Sequence, residues 1–451
     1  MRAAVAAGHP ATAAAGAEIL SDGGSAADAA VAATLASCVA ETVMTGLLGG
    51  AHAVHFDPGT DRVESLDAFV AVPSGSGAPM ADIAVPFGEA IVHYAIGASS
   101  CGVPGLPAGL DALWRRHGRL PWPRLVEPAL RLARGGVAMP PAHASCLAML
   151  EPVFTMREGA AIYAPGGTLL RAFDLLDQPG LVRALELVRD EGGRTVYEGT
   201  IGRELIALVE EREGMLTAAD LAGYDAAWGR PAEVEFAGRR VFTRGGLSDV
   251  PQTLGRLDPA GGADALLAAL EARPTPDGHT TNLSVVAADG SACVVTSSLG
   301  LGSGDFLPGL DLQLNSMLGE RDLITEPLRP GTRMGSMMAP TLAFDGEGLE
   351  LAIGAAGGTR LRTALVGVLT AILHAGEGPQ AAIEQPRFHP TAEEINAEPG
   401  VDEAWLAELE SRGRPVRRWA GRHHYFGGVS ACGRNGAGAD PRRSGGVSSP
   451  D

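Results

Sequence analysis

The chain reads as an α+β protein in which helices are layered on antiparallel sheets. Three observations carry that reading. Apolar strands come as pairs joined by tight turns. Helical stretches come in blocks instead of alternating one for one with strands. Gly- and Pro-rich joints separate the two kinds of segment. A doubly wound parallel sheet would need strand and helix to alternate along the whole chain.

Residues 11–22 and 25–40 are alanine-rich and predict two helices, broken at Gly23-Gly24. Ser25 with Asp28 three residues later is a capping-box start for the second. That second helix has almost no polar residue, so it is expected between layers. Residues 51–56, a turn at Asp57-Pro58-Gly59-Thr60 and residues 62–69 predict a hairpin. Residues 105–135 and 180–213 predict helices; residues 141–180 show no clear period. Residues 256–278 are rich in Ala, Gly and Pro and predict an exposed linker. Two threonines, Thr280 and Thr281, then open an apolar strand. Asp289-Gly290 turns it into a second strand over 291–296, and Asp-Gly between apolar runs is a strong hairpin signal. A further hairpin spans 341–344 and 349–353, turning at Gly346-Glu347. Gly357-Gly358 leads from it into a helix near 360–375. The stretch after Asp440 is expected to be loose.

With 451 residues, 45% hydrophobic and 20% charged, the chain has ample material for a buried core. Its net charge of −18 argues against nucleic acid and anionic membranes as partners. All 35 basic residues are arginine. A Schiff-base lysine and a P-loop lysine are therefore excluded, and with them pyridoxal phosphate chemistry. Cys38, Cys101, Cys146, Cys293 and Cys432 are scattered and odd in number, which predicts reduced buried thiols over a disulfide framework or zinc site. No cofactor and no metal are implied. The first ten residues hold too short an apolar run for a signal peptide, and no stretch of about 18 apolar residues occurs. A cytoplasmic protein with a small-molecule substrate is expected.

The segment Gly278-His279-Thr280-Thr281-Asn282-Leu283-Ser284-Val285-Val286-Ala287 resembles the self-cleavage site of the gamma-glutamyltransferase family. Further blocks are similar in order: Gly8-His9-Pro10, Gly23-Gly24-Ser25-Ala26-Ala27-Asp28, Gly102-Val103-Pro104-Gly105, Gly214-Met215-Leu216-Thr217, Gly357-Gly358-Thr359-Arg360 and Asp440-Pro441-Arg442-Arg443. The resemblance implies the four-layer αββα sandwich of N-terminal-nucleophile hydrolases. It implies cleavage between His279 and Thr280 into residues 1–279 and 280–451. The two pieces would share one core as a heterodimer, and pairs of these are conceivable.

By the same resemblance Thr280 is the nucleophile, with its freed α-amine as base. An α-amine near pKa 7.7–8.0 suits that task at working pH. Gly357 and Gly358 would form the oxyanion hole, their N–H groups exposed at a positive helix N-terminus. Ser298 would bond the nucleophile. Ser336 and its neighbour Gly335 fall where two serines hold the donor's carboxylate, and Asn315 and Ser316 fall in the segment that grips its α-amine.

Three departures bear on the acyl group. Phe69 stands in place of the carboxylate-binding arginine, Gly319 in place of the ammonium-binding aspartate, and Gly300 in place of an asparagine. A buried carboxylate without its arginine is an uncompensated charge. The expectation is a threonine amidase or acylase with altered acyl specificity. Two alternatives are hydrolysis of a C–C bond, as in some natural-product relatives, and a non-catalytic scaffold, suggested by Asn282 in place of the family histidine.

Overall fold

A computed structural model describes residues 2–87, 90–272 and 280–450. Two antiparallel sheets stack at its centre. The first runs in the order Gly446–Ser448, Ala4–Ala7, Thr281–Val286, Ala292–Ser298, Gly50–Asp57, Arg62–Ala68 and Ala227–Gly229. The second runs Gly436–Ala439, Gly428–Gly433, Gly348–Ala356, Thr341–Asp345, Arg239–Thr243 and Ala232–Phe236.

Alternation along the strands builds the layers. Ala6, Val54, Val286 and Val294 of the first sheet meet Leu342, Phe344, Ala352 and Cys432 of the second. Phe56 and Phe344 close this inner seam edge to face, ring centroids 4.8 Å apart. The opposite face of the first sheet, with Val5, Leu283, Val285 and Val295, packs on the helix Ala26–Ala40. Val241, Ile353 and Val429 of the second sheet pack on the helix Thr359–Leu373. The result is helix, sheet, sheet, helix, as the family resemblance implies.

All residues of Ala26–Ala40 are buried, because helices lie on one side of it and a sheet on the other. Alanine permits that close approach. Ser25 and Asp28 make the reciprocal capping box read from the sequence. The hairpins turning at 57–60 and 346–347 form where expected, the second with a register shift at Ala343/Phe344. All five cysteines are free and buried.

Three expectations are corrected. Residues 141–180 contain short helices, Pro141–Met149, Glu151–Phe154 and Gly159–Tyr163, whose apolar residues are too few per turn to show a period. The supposed linker contains the helix Gly262–Glu271, which buries Leu267 and Leu270 against Phe388, Trp405 and Leu406. Residues 273–279, its remaining part, lie outside the described residues. The stretch after Asp440 is ordered into the sheet: Gly446–Ser448 pairs with Ala4–Ala7, and Arg442 makes buried ion pairs with Glu398 and Asp440. Composition gave no hint of these partners, which lie far away in sequence.

Candidate active site

Thr280 sits just before the strand Thr281–Val286, in the middle of the first sheet, and is 7% exposed. Its hydroxyl oxygen accepts a hydrogen bond of 2.8 Å from the Gly357 N–H. Gly357 ends the strand Gly348–Ala356, and Gly358 is the N-cap of the helix Thr359–Leu373. Both have positive φ, +124° and +61°. A Cβ at Gly357 would lie 2.7 Å from the Gly427 backbone. Glycine is therefore required where the chain turns the Gly357 N–H toward Thr280. The 15-residue helix adds the positive end of its dipole there.

Two small cavities flank Thr280. One, of about 20 Å³, is lined by Phe69, Ser298, Met317, Glu320, Ser336, Met337 and Gly358 among others. The second, of about 10 Å³, is lined by Gly8, Glu41, Met44, His143, Thr281 and Arg443 among others. A larger hollow, about 310 Å³, lies on the outer helical layer away from Thr280, so size does not mark the site here.

The structure brings Thr280, Gly357, Gly358, Ser298, Phe69 and Ser336 together. The Ser298 hydroxyl accepts from the Gly300 N–H at 3.0 Å. Phe69 is 2% exposed and stacks on His52, ring centroids 5.3 Å apart. Its carbonyl accepts from the Tyr224 hydroxyl at 2.6 Å.

Three residues assigned from the sequence, Asn315, Ser316 and Gly335, are not among those that line the cavity. Asn315 spends its amide on the scaffold: Nδ2 donates to Leu48 and Gly102 carbonyls, both at 2.9 Å, and Oδ1 accepts from the Gly102 N–H at 3.0 Å. The Ser316 hydroxyl accepts from the Leu301 N–H at 3.0 Å and joins two loops. Gly335 faces Leu247 and the Leu323 carbonyl, where a Cβ would come within 2.7 Å of each. These positions were inferred from spacing to matched motifs, which cannot show the direction a side chain takes. His279, the residue before the expected cleavage point, lies outside the described residues.

Read from the sequence, the acid is lost, with Gly319 in its place. A Cβ at Gly319 would lie 1.7 Å from the Ala95 carbonyl oxygen, so no side chain fits. The carboxylate is carried by Glu320, which lines the cavity, is 3% exposed and has an Oε1 with no hydrogen-bond partner among the described residues. Burial, and then repulsion from Asp322, pushes its carboxyl up to about 8.

Sequence reasoning also missed Glu41 and Arg443. Glu41 accepts hydrogen bonds from the Thr12 and Thr281 hydroxyls. Burial raises its carboxyl to about 7, against the opposing effects of those bonds and of Arg443. Arg443 is buried, and its Nη1 donates to the Met44 sulfur at 3.0 Å. A helix-terminal acid inside an apolar stretch, Cys38-Val39-Ala40-Glu41, was the available signal for Glu41.

A family model described as gamma-glutamyltranspeptidase matches residues 12–257 and 259–449. The chain belongs to the gamma-glutamyltranspeptidase family. Glutathione hydrolase 5 proenzyme of Mus musculus is 26% identical over 531 residues, covering 98% of this chain and 92% of the mouse protein. Glutathione hydrolase 3 of Arabidopsis thaliana is 31% identical over 210 residues, 46% of this chain and only 32% of the plant protein. Cephalosporin acylase from Bacillus halodurans shares the fold with a TM-score of 0.84 at 21% identity, over 100% of this chain and 96% of the acylase. Like its relatives in the gamma-glutamyltranspeptidase family, the chain is an enzyme; the larger cavity beside Thr280 is walled by Phe69 and by Met317, Met337 and Met338.

Proposed function

We propose that this protein is a self-processing threonine hydrolase that cleaves an amide or acyl bond of a small molecule. The observation that carries the reading is the 2.8 Å contact between the Thr280 hydroxyl and the Gly357 N–H at the head of a long helix. In the first reaction Thr280 Oγ attacks the His279 carbonyl. The C–N bond breaks as an ester forms on Oγ, which frees the Thr280 amine; water then hydrolyses the ester to the His279 carboxylate and the Thr280 hydroxyl.

That amine then serves as base. It takes the hydroxyl proton as Oγ attacks the substrate carbonyl. The resulting oxyanion is stabilised by the backbone N–H groups of the glycine pair. Collapse expels the leaving group, which takes the proton back, and water hydrolyses the acyl-enzyme.

The walls favour an acyl group other than free glutamate. Phe69 offers no charge to a carboxylate, and the nearby arginines are engaged. Arg333 lies over the Tyr224 ring, 4.0 Å from its centroid, and donates to the Asp225 carbonyl. Arg244 donates to the Gly245 and Ser336 carbonyls at 3.0 and 2.9 Å. The same cavity keeps one acid, Glu320. An acyl group with an apolar body and one amine or other donor matches this lining: the donor satisfies Glu320 and the body meets Phe69 and the methionines.

The test is a denaturing gel with N-terminal sequencing, followed by assays of the processed protein. Two bands starting at residues 1 and 280 are expected, with Thr280→Ala leaving one full-length chain. A mature N-terminus elsewhere sinks the nucleophile assignment. On an amide panel, amine-bearing apolar acyl groups should surpass γ-glutamyl anilide by roughly a hundredfold in kcat/KM, the cost of one or two lost charge-assisted bonds. Efficient hydrolysis of the γ-glutamyl anilide would overturn the pocket reading.

A further inference from the structure

Glu41 follows the buried helix Ala26–Ala40 and is 1% exposed. Its two carboxylate oxygens tie separate parts of the fold. Oε1 accepts from the Thr12 hydroxyl, on the helix Pro10–Ser21, at 2.7 Å. Oε2 accepts from the hydroxyl of Thr281, the residue immediately after the proposed nucleophile. The approach is built into the backbone as well. A Cβ at Gly8 would lie 2.3 Å from Oε2 and 2.7 Å from the Thr281 hydroxyl, so that position must be glycine. The adjoining cavity, about 10 Å³, also borders Thr280 and holds one water at most.

Keeping a carboxyl buried on neutral hydroxyls is costly, and a structural tie between helix and strand needs no acid. The regular strand begins only at Thr281, so nothing in the sheet fixes Thr280 itself. Its hydroxyl must nonetheless be held within a fraction of an ångström of its line of attack.

We propose that Glu41 is a positioning residue for Thr280. By gripping the Thr281 hydroxyl it fixes the chain just past the His279–Thr280 bond. That aims Thr280 Oγ, first at the preceding carbonyl and then at the substrate. This rests on the reading of Thr280 as nucleophile.

The charge state of Glu41 enters as support. The groups facing it are Thr12 and Thr281 as donors, Arg443 from the turn Pro441–Arg443 and Cys38 on its own helix; His143 and Asp440 border the same cavity. Ionised Glu41 is the stronger acceptor for Thr281. With its carboxyl raised to about 7, the grip strengthens as pH rises through neutrality.

Self-cleavage needs no added substrate, so it is the readout. The full chain is made by cell-free synthesis, and the two fragments are followed on a gel from pH 5.5 to 8.5. Glu41→Gln and Thr281→Val should each slow cleavage roughly ten- to a hundredfold, and together no further than the slower one alone. Thr281→Ser should restore the rate, and Glu41→Gln should flatten the rise through pH 7.

Wild-type rates in Glu41→Gln, or additive losses in the double variant, would overturn the proposal. If Glu41→Gln does not melt cooperatively, the near-isosteric pair Thr281→Val and Thr281→Ser decides alone. Thr280→Ala separates the two failures. Continued cleavage in that variant removes the nucleophile reading and this one with it. Blocked cleavage there, beside unimpaired Glu41→Gln, removes Glu41 only.

Discussion

At the scale of single residues, the site is a set of buried groups held in costly states. Glu320 is the clearest. Its carboxyl is raised from 4.5 to about 8 by burial. In the unfolded chain it titrates near its ordinary value. A raised carboxyl contributes stability that is full below that ordinary value and is lost as pH rises through the folded one. Wild-type stability should therefore decline between about pH 4.5 and 8 on this account. Glu320→Gln, which stays neutral, should match wild type near pH 5 and exceed it in Tm at pH 8.5. Parallel melting curves across that range would show that Glu320 is not held neutral by the fold. The residue was only half legible in the sequence. By comparison with the family motif the acid is lost at Gly319; only the fold shows that the next residue, Glu320, reaches the cavity. That Thr280 and the glycine pair come together was legible because each lies in a contiguous motif. Asn315 and Ser316 do not line the cavity; their side chains bond to neighbouring loops, a direction that motif spacing does not report.

At the scale of elements, the decisive junction is strand to helix at Gly357-Gly358. The strand Gly348–Ala356 delivers the chain to Thr280, and the helix Thr359–Leu373 leaves at once. With φ of +61° at Gly358, any side chain is strained there, a β-branched one most. Gly358→Val should reduce kcat by about 10²–10³, the usual cost of an oxyanion-hole donor, while circular dichroism still reports the native α+β spectrum. Near-wild-type turnover in the folded variant would remove Gly358 from the site. Elements with local signals were readable: the capping box at Ser25, the Asp289-Gly290 hairpin and the buried alanine helix. Those with only distant partners were not. The helix Gly262–Glu271 looks like low-complexity linker until Phe388 and Trp405 are brought against it. The strand Gly446–Ser448 has three residues and no alternation to betray it; its partner lies at the other end of the chain.

At the scale of the molecule, neither side of the proposed cleavage point owns a sheet. Ala4–Ala7 and Gly50–Asp57 enclose Thr281–Val286 and Ala292–Ser298, and Arg239–Thr243 pairs with Thr341–Asp345 in the second sheet. The inner seam draws Ala6 and Val54 from before residue 280 and Val286, Leu342 and Ala352 from after it. Separating the halves would expose that entire apolar seam and break ladders in both sheets. After cleavage the fragments should co-elute in gel filtration at the mass of the intact chain, and part only in denaturant. Elution as two smaller species in native buffer would contradict a shared core.

The place of Ala4–Ala7 has a further consequence. It leaves the ribosome long before its sheet neighbours, Thr281–Val286 and Gly446–Ser448. At synthesis rates of roughly 5–20 residues per second, this strand waits tens of seconds for partners. The nucleophile's surroundings are equally late, since Gly357 and Arg443 both follow it in the chain. On the proposed mechanism, the site cannot assemble before the segments that carry Gly357 and Arg443 have been made. A product truncated before Gly357 would, on that mechanism, lack the donor to Thr280 and stay uncut.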